Sequence, residues 1–111
     1  MKFIFIIQLR KLPVQGMAMF PFIFLKTKDL KLDKRIINHE LIHIRQQLEL
    51  LIIPFYLLYF LNYLANWIYY RDHYLAYRNI VFEREAFEND LKPGYLKKRR
   101  FASWVNYFRQ V

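Results

Sequence analysis

His39 and His43 stand four residues apart in NHELIH, residues 38–43, with Glu40 between them. On an α-helix that spacing puts both imidazoles on one face, within reach of a single ion. Glu40, one position round from His39, can reach the open side of such an ion, where a water would be bound. There it would accept the proton of a water attacking a peptide carbonyl and later pass it to the leaving amine. The chemistry implied is zinc-dependent hydrolysis with Glu40 as the catalytic base. The chain has no cysteine, so any metal must be held by His and carboxylate.

A catalytic zinc needs a third protein ligand. FEREAF, residues 82–87, supplies the leading candidate. On a helix, Ala76, Asn79, Ile80, Glu83, Ala86 and Phe87 share one face, so Glu83 points inward among small and apolar residues. A buried carboxylate is costly unless it is paired or bound to a cation. Ala86, one turn on, lets two helices approach closely. Glu85 falls on a polar face with Arg78, Glu88 and Asn89 and reads as solvated or paired with a basic neighbour. It is the second candidate, and His73 a distant third.

The elements that must position these residues follow from periodicity. Residues 2–9 and 17–25 are β-branched and aromatic, with KLPVQG between them carrying Pro13 and Gly16, which reads as a hairpin or two edge strands. Pro21 makes the second strand an edge. Asp33 is placed to cap a helix from about Lys34 to Ile53, with Ile37, Leu41, Ile44, Leu48 and Leu51 as its apolar stripe and Pro54 ending or kinking it. Residues 73–90 read as a later helix, stopped by Pro93 and Gly94. Gln46 continues the His39–His43 face. It either lines a cleft or, as such residues more often do, lies on a solvated face.

Residues 50–70 carry no charged side chain. That length could cross a bilayer, but Pro54, Asn62, Asn66 and the many tyrosines favour either an interfacial position or a buried core helix. Asn62 and Asn66 would pair in the core or meet lipid headgroups. The net charge of +9 and the run Lys97–Arg100 suit an anionic membrane surface or plain solvation. No nucleic-acid-binding module is visible, which argues against that partner. The N-terminus, MKFIFIIQLRK, has no small-residue cleavage site and reads as a strand, not a cleavable signal peptide. The chain is expected at a membrane or in the cytoplasm.

HELIH followed about forty positions later by EREA resembles the gluzincin metallopeptidases, including membrane-associated members whose helices are dense in apolar residues. More closely, residues 20–89 resemble small Bacteroidetes proteins with the pattern NHExIHxRQQxELL…YRNIxFEREAY. The resemblance implies zinc on His39, His43 and Glu83, with Glu40 as base. Two positions depart from the larger enzymes. Phe87 stands where an Asp four residues after the ligand Glu orients a ligand His. The oxyanion-stabilising residue has no obvious match, leaving Tyr69, Tyr70, His73 and Tyr77 open.

The expectation is one domain, residues 1–111, of α+β class and mainly helical. A short N-terminal β-hairpin or edge strand precedes three to four helices in a minimal zincin-like arrangement, with zinc between the first helix and the third. It would be a zinc metallopeptidase acting on a peptide or protein substrate. The alternative is a non-catalytic zinc-binding or membrane-associated interaction protein. An open fourth metal position and a groove beside residues 17–25 would favour the enzyme. A closed shell, with His73 added, would favour the structural role.

Overall fold

The stretch read as one strand, residues 17–25, folds as two. The computed structural model describes residues 4–108, so Lys2 and Phe3 of the expected first strand and residues 109–111 of the tail lie outside it. β1 is Phe5–Gln8, β2 is Gly16–Met19 and β3 is Phe22–Leu25. β2 and β3 form an antiparallel hairpin about Phe20–Pro21, where proline has no amide hydrogen to continue a ladder. KLPVQG is therefore not a hairpin turn. It carries the chain across, so that β1 runs parallel to β3 with Phe5 opposite Phe22 and Gln8 opposite Leu25. The order is β1-β3-β2, which leaves β2 as an edge strand.

After a short 3-10 helix over Lys28–Leu32, α1 spans Lys34–Glu49. Asp33 caps it as expected, its Oδ1 accepting from the amides of Arg35 at 3.0 Å and Ile36 at 3.2 Å. The expected apolar stripe holds only in its first half. Ile44 is buried and Ile37 and Leu41 pack on the core, whereas Leu48 is 42% exposed and Leu51 78% exposed. The helix breaks at Leu51 and Ile52, both at positive φ, and Pro54 sits in the first turn of the next helix, not at the end of this one.

α2 spans Ile53–Tyr70 and departs from α1 at 113°. Of its 18 residues only Phe55 is buried, so it is not the buried core helix that its composition allowed. Among the described residues no single helix is long and apolar enough to cross a membrane; α1 and α2 pass that test only as a bent pair. The expected helix over 73–90 is two helices, α3 (His73–Arg78) and α4 (Val81–Asn89). Asn79 ends the first by donating back to the Leu75 carbonyl at 2.8 Å, and Ile80 is extended. α5 (Tyr95–Lys98) and a 3-10 helix over Ser103–Tyr107 are the last elements of the described residues. The fold is α+β and mainly helical, with five α-helices among the described residues where three to four were expected.

Two apolar clusters flank α1. Ala18, Ile23, Leu25, Ile36 and Ile44 join it to the sheet, while Phe55, Ile80, Val81 and Phe82 lie between α2 and α4. Between them α1 buries polar residues as well: His39, Glu40, His43, Gln46 and Gln47. Burying that many polar groups is tolerated only where each finds a partner.

Candidate metal centre

Gln47 shows how the sheet is registered on α1. Its Oε1 accepts from the Phe20 amide at 2.7 Å and its Nε2 donates to the Ala18 carbonyl at 2.9 Å. Tyr56 of α2 donates to the same carbonyl at 2.8 Å. β2 is thereby fixed alongside α1, with Gly16 against Glu40. A Cβ at Gly16 would lie 3.1 Å from Glu40 Oε2, so this close approach uses the missing side chain.

α4 is anchored to its neighbours at both ends. Asn62 of α2 accepts from the Val81 amide at 2.8 Å, capping a helix whose own N-cap, Ile80, has no side-chain oxygen. At the other end Asn38 of α1 donates to the carbonyls of Asn89 and Asp90. Asn66 donates to the Ala76 carbonyl, so both asparagines of α2 pair with backbone.

These anchors bring the predicted ligands together. His39 Nε2 and His43 Nε2 each lie 3.0 Å from the same oxygen, Glu83 Oε1. All three residues are buried, and one ligand atom from each falls within 4.8 Å of the others. Among the described residues the group holds these three and no fourth His, Asp or Glu. His73 is elsewhere, its Nδ1 2.7 Å from the Tyr63 hydroxyl in a solvent-exposed hydrogen bond between α2 and α3.

The remaining ring nitrogens decide what the centre needs. His39 Nδ1 lies 2.9 Å from Asp90 Oδ2, and a carboxylate can only accept, so Nδ1 carries the proton. His43 Nδ1 lies 2.8 Å from Gln46 Oε1. The Gln46 amide is oriented by its other end, because Nε2 donates to the Phe82 carbonyl and to Glu85 Oε1, both at 3.0 Å and both acceptors. His43 Nδ1 must therefore also carry a proton. Both Nε2 lone pairs then face a carboxylate oxygen, an arrangement that requires a positive charge at the point where they meet. In the metal-free centre a second proton on His43 meets that need. Burial disfavours the imidazolium, yet the charge and hydrogen bond of Glu83 outweigh burial and push the His43 pKa up to about 9. Burial likewise opposes ionisation of Glu83, but His43 and His39 hold its carboxyl below the usual range. Tyr59 donates to Glu83 Oε2 at 2.5 Å and keeps its proton, because burial and the Glu83 charge raise its pKa.

A divalent cation fits the same point. Two imidazole nitrogens and a carboxylate oxygen are the donor set of open hydrolytic zinc sites, in which neighbouring ligand atoms stand roughly 3.3 Å apart around a tetrahedral ion. The 3.0 Å separations are close to that edge. Hydrogen bonds on the far nitrogens are what hold ligand imidazoles in register.

Beside the centre a cleft of about 220 Å³ is lined by Gly16, Arg35, His39, Glu40, Tyr77 and Phe87, among others. It lies at the Gly16 end of the edge strand. Glu40 is 7% exposed in its wall, and burial raises its pKa against the lowering effect of the two histidines. Tyr77 is half-buried there, its phenol kept protonated by burial and then by the charges of Glu83 and Glu40. Tyr69 is 80% exposed and takes no part in the cleft.

Two expectations need correction. Gln46 is not on a solvated face; it is fully buried and sets the His43 tautomer. Glu85 is not solvated; of its two alternatives the pairing with a basic residue holds, since it is fully buried against Arg99 and Tyr95. Two participants were missed. Asp90 performs for His39 the orienting role that Phe87 cannot, and its signal was its place two helical turns after Glu83 on the same face. Phe87 packs edge-on to His39 instead, with ring centroids 4.6 Å apart. Tyr59 gave no comparable signal, being one of many tyrosines in a charge-free helix. Searches against family models, curated proteins and solved structures found no match to this chain.

Proposed function

We propose that the chain is a compact zinc-dependent metallopeptidase with His39, His43 and Glu83 as ligands and Glu40 as base. The observation that carries this reading is the convergence of two Nε2 lone pairs and one carboxylate oxygen on a single point, with a separate buried glutamate in the wall of the adjoining cleft. Bound there, the ion would acidify a water and polarise a substrate carbonyl. Glu40 would take the proton from that water and return it to the leaving amine; a carboxylate whose pKa is raised toward neutrality suits both transfers. Tyr77 keeps a phenolic hydrogen in the same cleft and is the residue of this chain best placed to donate to the oxyanion. The substrate backbone would lie along the Gly16 end of β2, whose outer edge is unpaired by strand, while Gln47 and Tyr56 occupy the Ala18 carbonyl further along.

Elemental analysis of the purified protein tests the centre. Wild type and the exposed control Glu88→Ala should hold about one zinc per chain, and Glu83→Ala none. A chain that stays free of metal after reconstitution with zinc would end this reading. Iron in place of zinc would point to oxygen chemistry, since two His and a carboxylate also serve that metal. With zinc established, Glu40→Gln should keep the metal and lose hydrolysis of unstructured peptide by about a hundredfold or more.

A further inference from the structure

α2 is built inside out. Its inward positions are Phe55, Tyr56, Tyr59, Asn62, Tyr63 and Asn66, and every polar tip among them is hydrogen-bonded to the rest of the protein. Its outward positions, apart from Tyr69 near its end, are apolar. Leu57 is 59% exposed, Phe60 56%, Leu61 51% and Ile68 67%, with Leu64 and Trp67 on the same side. The spacing 57, 60, 61, 64, 67, 68 is one continuous helical stripe. A helix facing water would carry the reverse pattern.

The C-terminal segment extends this surface. Leu58, Leu61, Trp104 and Phe108 line one groove, and Phe101 is 79% exposed beside them in sequence. The same segment supplies charge. Residues 91–111 contain no acid, and Lys97, Lys98 and Arg100 are all exposed.

We propose that the outer face of α2 and the C-terminal segment dock on the surface of an anionic lipid bilayer. Apolar side chains would enter the acyl boundary, with Lys97, Lys98 and Arg100 at the headgroups. The charge of the chain selects this occupant. A second copy docked by the same face brings the same basic segment and no acid, because residues 50–70 and 91–111 contain none. The hydrogen bonds along the inner face exclude a crossing, because they hold α2 to β2, α3 and α4 over most of its length. The helix must lie lengthwise, with protein on one side and lipid on the other. This inference does not depend on the metal centre.

The full chain would be mixed with vesicles of phosphatidylcholine alone and with vesicles containing added phosphatidylglycerol, then floated. Both tryptophans, Trp67 and Trp104, lie on the docking elements, so their emission reports contact directly. The expected result is flotation with the anionic vesicles and a blue shift of emission. Leu57→Asp with Leu64→Asp changes exposed positions only and should weaken binding at least about tenfold, with the circular dichroism spectrum unchanged. Lys97→Gln, Lys98→Gln and Arg100→Gln together should weaken it on the order of a hundredfold at low salt. The proposal is overturned by no flotation with either vesicle, by equal flotation with both, or by full binding of the double Asp variant. Concentration-dependent dimers that Leu57→Asp dissolves, without vesicle binding, would assign the face to a second copy instead.

Discussion

Glu83 and Glu85 sit two residues apart on α4, both buried, and their surroundings ask for opposite things. Every acceptor of Glu85 meets a donor. Arg99 Nε and the Tyr95 hydroxyl reach Oε2 at 2.5 Å, and Arg99 Nη2 and Gln46 Nε2 reach Oε1 at 3.0 Å. Glu49 completes the neutralisation on the other side of the guanidinium. Glu83 has one satisfied oxygen, bound by Tyr59, and one that faces two imidazole nitrogens. The first carboxylate is closed and structural. The second needs a positive charge where it meets the histidines, which a second proton on His43 supplies and which the proposed metal would supply in its place. A buried acid becomes a candidate site through what its partners leave unsatisfied, not through burial alone.

The comparison breaks most sharply at Glu85. Glu85→Ala leaves the Arg99 guanidinium, whose side chain is 1% exposed, with Glu49 as its one acid partner among the described residues. Stripping one acid from a buried ion cluster costs about 3–5 kcal/mol, and denaturant unfolding should show that loss. The fraction that remains folded should still hold zinc. Loss of metal with stability intact would reverse the roles assigned to the two glutamates. A smaller effect belongs to Asp90→Asn, which removes the acceptor that fixes His39. Zinc affinity measured against a competing chelator should fall roughly ten- to a hundredfold with little change in folding.

How much of this was legible depended on whether the signal was local. The His39–His43 pair, the Asp33 cap and the inward face of Glu83 rest on helical spacing, and the structure keeps all three. The break between α3 and α4 lies inside a continuous helical pattern and turns on a single Asn79 back-bond, so periodicity passed over it. That Glu85 is paired was one of two open alternatives, but its burial was not legible because its partner Arg99 lies fourteen residues away, beyond the Gly94 turn. α2 was ambiguous because its tyrosines and asparagines count as polar punctuation in a hydropathy reading. In the fold Tyr56, Tyr59, Asn62, Tyr63 and Asn66 face inward, and only their partners on β2, α3 and α4 reveal that.

The pH response separates the two carboxylates again, in metal-free protein. The His43 pKa is raised from 6.5 to about 9 on folding, by Glu83 acting against burial. A group raised on folding stabilises fully below its unfolded pKa and loses that contribution as pH rises through the folded one. The melting temperature of the metal-free chain should therefore fall between about pH 6.5 and 9. Glu83→Gln should flatten that slope. The Arg99 cluster adds nothing to it, because Glu85 and Glu49 raise a pKa that already lies above this window. A slope that survives Glu83→Gln would place the titrating pair elsewhere.

The smallest effect tests the single link between the two clusters. Gln46 accepts from His43 Nδ1 and donates to Glu85, so each carboxylate touches the other only through this amide. Glu85→Gln should lower zinc affinity slightly by letting the Gln46 amide turn. Gln46→Ala should lower it by about 1 kcal/mol by freeing the His43 tautomer. In the Gln46→Ala background the Glu85→Gln effect on affinity should vanish, leaving a coupling energy of about 0.5 kcal/mol or more in a double-mutant cycle. Simple additivity would mean that Glu85 reaches the histidines through the backbone of α4. The two glutamates would then be coupled by the helix that carries them, and the amide between them would be packing alone.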